Sequence, residues 1–139
     1  MSDSIKECDF ATIDFSKQSL IIQTLKSIRP NEAQVSEYLR LLDHAMASMN
    51  GDFVLMSVGS DVSFDTFKTT IRFFKGIRKI ERKYAQSYRK AFVVDIAIRD
   101  RLLLPIFNIF ARPIAPRVYV DTVEEGIDLA SIEMGIPFY

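Results

Sequence analysis

Residues 100–139 constrain the fold of this chain more tightly than any other stretch. Asp100 can cap a short helix over residues 101–110, where Pro105 is tolerated near the first turn and otherwise bends the helix, and Arg112-Pro113 ends it. Val118-Tyr119-Val120 reads as a short strand. Thr122-Val123-Glu124-Glu125 is a capping box: the Thr122 hydroxyl accepts from the Glu125 backbone while the Glu125 carboxylate reaches back. A helix then runs to Met134 and is closed by Gly135 and Pro137. Helix, strand and capped helix in this succession end a small α/β domain, because the next parallel strand is reached only through a crossover.

The preceding residues supply the rest of such a domain. Ala11, Ile13 and Phe15 alternate with Thr12 and Asp14, a polar turn follows at residues 16–19, and residues 20–25 (LIIQTL) are apolar and β-branched, which predicts a hairpin. A helix begins at Asn31 as N-cap with Gln34 three residues on, or at Pro30 as first helical residue. Its stripe is Val35, Leu39, Leu42, Met46 and Met49, and Asn50-Gly51 stops it. Residues 52–58 (DFVLMSV) suit a central strand buried on both faces. Ser63 or Asp65 can cap the next helix, with Phe67, Ile71, Phe74, Ile77, Ile80 and Tyr84 as its stripe and a kink or break at Gly76. Residues 91–98 (AFVVDIAI) are a second buried strand. The expected order is ββαβαβαβα: a single α/β domain over residues 1–139, a mixed sheet flanked by helices, with residues 1–9 as a poorly ordered extension.

Composition narrows the class. A 139-residue chain that is 48% hydrophobic and 26% charged fits one globular core. Lys and Arg number 18, as do Asp and Glu, so no global charge draws the molecule to nucleic acid. Cys8 is the single cysteine, which excludes an internal disulfide and a multi-cysteine metal site. The acidic start MSDSIKECDF lacks the basic and apolar regions of a signal peptide, and a cytoplasmic location is expected. Arg99, Arg101 and Arg112 interrupt the most apolar stretch short of the roughly 18 residues a membrane span needs.

On these residues, 52–134 resemble the SpoIIAA-like branch of the STAS-fold proteins, relatives of bacterial anti-anti-sigma factors and of the lipid-binding SEC14-like domains. The resemblance is carried by FVLMSV, the amphipathic helix after Ser63, KAFVVDIA and LLPIFNIFARPIAPRVYVDTVEEGIDLA. It implies a STAS-like domain without enzymatic activity or cofactor, acting in regulation or protein interaction, or alternatively binding an apolar ligand or lipid. Phospho-regulated members carry Asp-Ser-Ser-Gly after the central strand. Here the counterpart is Asp65-Thr66-Phe67-Lys68, with Phe67 where the acceptor serine would lie. Ser60, Ser63, Asp65 and Thr66 are left as a candidate regulatory site at the helix N-terminus.

Two surfaces are candidates for function. Lys68, Arg72, Lys75, Lys79, Arg82 and Lys83 recur at helical spacing and form a basic ridge suited to an acidic protein partner or anionic headgroups, or simply to a solvated face. Leu103, Ile106, Phe107 and Phe110 lie on an apolar helix suited to the core, a homodimer interface or a ligand pocket against the sheet. A peripheral lipid contact is compatible with either surface. His44, the only histidine, reads as a surface or boundary residue and Cys8 as a small semi-buried one, so no nucleophile–base pair is evident. Glu124 and Glu125 are explained by helix capping.

Overall fold

The structure is a computed structural model that describes residues 4–59, 63–94 and 115–138. Strands β1 (Ile5–Glu7), β2 (Ala11–Lys17), β3 (Leu20–Leu25), β4 (Phe53–Val58), β5 (Tyr88–Val94) and β6 (Arg117–Val120) form one six-stranded sheet in consecutive order. The first three strands are antiparallel neighbours, and β3 to β6 run parallel. Helix α1 (Glu32–Ala47) joins β3 to β4, α2 (Phe67–Lys83) joins β4 to β5, and α3 (Val123–Met134) follows β6. The molecule is thus an α/β protein with a mixed sheet, as the element order predicts.

The hairpin forms where alternation places it. Ala11 and Ile13 are fully buried, and the strand register shifts between Asp14 and Lys17, where Asp14 Oδ1 accepts from both the backbone and the hydroxyl of Ser16. The expected N-terminal extension contains a strand instead. Ile5 pairs with Asp14, and Glu7 is fixed by an ion pair at 3.0 Å to Lys26, whose ammonium also donates to Cys8 O. Period two hid β1 because only three residues take part, too few for an alternation to register.

Each parallel strand has apolar side chains on both faces, and two cores result. Phe10, Ile13, Ile21, Leu55 and Ala91 face α1 and α2, together with Val35, Tyr38, Leu42 and Phe73. Leu20, Val54, Met56, Phe92, Val94 and Val120 pack with Ala130 of α3 and with Phe138 beyond its end. β4 lies inside the sheet, and Phe53 through Met56 are all buried, as its continuous apolar run demands. β5 starts at Tyr88, three residues before the apolar run, because Tyr88 stacks on Phe53 at 5.5 Å.

Capping chemistry sets the helix starts. Asn31 is the N-cap of α1 in a full capping box with Gln34, and Thr122 caps α3 while the Glu125 carboxylate accepts from Asp121 N. For α2 the cap is Thr66, neither Ser63 nor Asp65; its hydroxyl accepts from Thr69 N at 3.1 Å. Ile80 of the expected α2 stripe is buried, and Phe74, Ile77 and Tyr84 pack against the same core, but the buried face is rotated from that stripe. Thr69, Phe73, Ile80 and Glu81 are buried, while Phe67 is 67% exposed.

The reason is Gly76, through which α2 runs without interruption. A Cβ there would lie 2.3 Å from Leu39 Cδ1, so the glycine admits the side chain of α1 and is no breaking point. Thr69, Phe73 and Ile80 share its helical face and turn inward with it. Phe73 then stacks on Tyr38 at 5.8 Å and meets Phe10 edge-on at 6.1 Å, contacts each worth about 0.5–1.5 kcal/mol beyond burial. Among the described residues no helix is long and apolar enough to cross a membrane.

Candidate functional site

The strand register sets two rows of side chains across the sheet on the α1/α2 face. Ile21, Leu55, Ala91 and Arg117 form one row, and Gln23, Ser57, Val93 and Tyr119 the next. Small residues at Ser57 and Ala91 leave the floor low at its centre. Gly59 continues this at the end of β4: its φ is +134° and a Cβ would approach Leu25 O to 3.0 Å, so no larger residue fits. α2 supplies the roof through Thr70, Phe74, Ile77 and Glu81, which recur at one helical face. Between floor and roof is a cavity of about 340 Å³.

Its walls are mainly apolar and aromatic, with Tyr38, Phe64, Phe73, Phe74, Tyr88 and Tyr119 among them. The polar groups are few and ordered. The Tyr38 hydroxyl donates to Gln23 Oε1 at 2.5 Å, and Gln23 Nε2 donates to Ser57 Oγ at 2.6 Å. Towards the start of β5 and β6, Glu81 sits 3.8 Å from Arg117, both side chains largely withdrawn from solvent. Burial pushes the phenols of Tyr38 and Tyr88 far above the ordinary tyrosine range; the Gln23 hydrogen bond partly offsets this for Tyr38, and the Glu81 charge adds to it for Tyr88. Both stay protonated hydrogen-bond donors at neutral pH.

A cavity of this size lies at the lower end of the volumes that hold small organic ligands, and its composition, apolar with a few oriented polar groups, is that of such sites. Comparison with protein-family models, with characterised proteins and with solved structures finds no match to this chain. The chemistry of the site therefore rests on its own geometry.

The residues singled out in the sequence fall in several places. All six of the basic ridge are exposed on α2, on the side away from the sheet. Three are tied to α1: Lys68 to Glu32 at 4.0 Å, Arg72 to Ser36 Oγ at 2.7 Å, and Lys83 to Asp43 at 3.1 Å. Lys75, Lys79 and Arg82 have no ion-pair partner among the described residues. Of the helix N-terminal group, Thr66 is the cap, Asp65 is exposed with its N–H bonded to Pro30 O, and Ser63 lines the cavity. Ser60 lies outside the described residues, as do Leu103, Ile106, Phe107 and Phe110. His44 is exposed against the edge of the Phe15 ring, and Cys8 is buried; neither lines the cavity.

Gln23, Ser57, Glu81 and Arg117 were not singled out in the sequence, yet each carried a signal. Gln23 interrupts LIIQTL and Ser57 interrupts FVLMSV, polar residues at inward positions of otherwise apolar strands. Glu81 is the one acid between Lys68 and Lys90. A buried polar residue needs a partner. Two such residues on adjoining strands, in register, point to each other.

Proposed function

We propose that this chain is a STAS-like, SpoIIAA-like domain serving as a non-enzymatic binding module whose cavity holds a small, largely apolar ligand. The observation that carries the reading is the 340 Å³ space between α2 and the sheet, lined by aromatic side chains. The STAS-like assignment is supported by the four parallel strands in consecutive order, with α1 and α2 packed together on one face. The non-enzymatic reading is supported by the place of His44 and Cys8 outside the cavity. Native mass spectrometry of protein purified from cells tests it: a bound mass is expected in the wild type and is absent from Ala91→Leu, which fills the floor. A folded wild type that carries no added mass and takes up no apolar probe removes the reading.

A second reading, a protein-interaction module, is favoured by Lys75, Lys79 and Arg82, which are exposed on the ridge with no ion-pair partner among the described residues. Charge reversal at these three positions would abolish docking of an acidic partner and leave the cavity unchanged. Partner binding that survives the reversal excludes the ridge from the interaction.

A further inference from the structure

The cavity follows α2 from Thr70 to Glu81, a rise of about 16 Å at roughly 1.5 Å per residue, so it is a slot and not a sphere. Its volume of 340 Å³ is that of about eleven water molecules at roughly 30 Å³ each, the scale of a small chain of about ten non-hydrogen atoms. An unbranched chain of that size fits the slot along its length.

Hydrogen-bond direction decides what the chain must carry. Tyr38 is wholly buried, and its proton has one acceptor, Gln23 Oε1. That bond orients the amide so that Nε2 points to Ser57, and the Ser57 oxygen becomes the acceptor of the next bond. The Ser57 proton is thereby left over, facing the cavity, with no acceptor among the described residues. The opposite amide orientation would instead take that acceptor away from the proton of the wholly buried Tyr38. The hydroxyl of Tyr88, a residue only 5% exposed, is likewise without a partner among the described residues. Thr70 spends its proton on Thr66 O. Ser57 and Tyr88 thus each bring an unspent proton to the lining.

Charge decides the rest. Glu81 and Arg117 are the charged residues among the described lining and lie 3.8 Å apart with opposite sign, so a carboxylate or an ammonium would bring a further charge into an apolar slot. Resting on the cavity reading above, we propose that the ligand is an electrically neutral chain molecule whose carbonyl or ether oxygen accepts a hydrogen bond from Ser57.

Calorimetric titration with four probes of matched length tests this: a methyl ketone of about nine carbons, and the carboxylate, ammonium and hydrocarbon of the same chain. The ketone is expected to bind about three- to tenfold more tightly than the hydrocarbon, the net effect of one hydrogen bond. Ser57→Ala erases that margin while hydrocarbon binding persists, and Ser57→Thr, which keeps a hydroxyl, retains it. Thermal melts of both variants establish that they are folded. A margin unchanged in Ser57→Ala, or tightest binding by the carboxylate or ammonium, overturns the inference and leaves the cavity reading standing. No binding of any probe to the folded wild type overturns both.

Discussion

The Tyr38 hydroxyl donates to Gln23 Oε1 at 2.5 Å in a part of the core where Tyr38 is wholly buried and Gln23 only 5% exposed. Tyr38→Phe keeps the ring packing against Phe10 and Phe73 but leaves a buried carbonyl without its donor. The expected cost is about 1–3 kcal/mol, read as a lower urea midpoint at unchanged slope. Adding Gln23→Leu should recover part of the loss, since removing both partners costs less than orphaning one.

Gly76 and Leu39 make the close approach of α2 to α1. Gly76→Val should destabilise the protein by about 1–3 kcal/mol through overpacking. In a Leu39→Ala background the same substitution should cost measurably less, because the atom it strikes is gone. Additive losses in the double-mutant cycle would contradict the contact.

Burial raises the pKa values of Tyr38 and Tyr88 above the ordinary value of about 10. The folded state therefore holds these protons more firmly than the unfolded one. Their contribution to stability is complete below pH about 10 and is lost as the pH rises beyond it, by roughly 1.4 kcal/mol per pH unit for each phenol. Chemical denaturation at several alkaline pH values should show a shallower decline in Tyr88→Phe than in the wild type.

The hairpin, the central place of β4 and the caps of α1 and α3 were legible in the sequence because each rests on local signals: alternation, a continuous apolar run, and capping residues at fixed spacing. The inward face of α2 was legible only in part: Phe74, Ile77, Ile80 and Tyr84 do pack on the core, but Thr69, Phe73 and Glu81 are buried with them and Phe67 is not. Phe67, Phe74 and Ile77 give a convincing apolar stripe, but the helix packs on α1 and the sheet together, and the contact that fixes its rotation is between Gly76 and Leu39, which lie on different helices. The cavity was hidden for a related reason. Its floor depends on which residues of β3, β4, β5 and β6 share a row, and register between parallel strands is set by the whole sheet. Ser57 and Gln23 stood out only as polar interruptions until the register placed them side by side.

The cavity is the centre of the account, and Ala91 is a small buried residue of its lining, so Ala91→Leu adds bulk where the cavity meets β5. The most direct measurement is calorimetric titration of the methyl ketone into the wild type and into Ala91→Leu, with thermal melts of both. Saturable one-to-one binding in the wild type, lost in an Ala91→Leu variant at least as stable, is the expected result. Equal binding by the two proteins, or none by the folded wild type, would contradict a ligand site between α2 and the sheet.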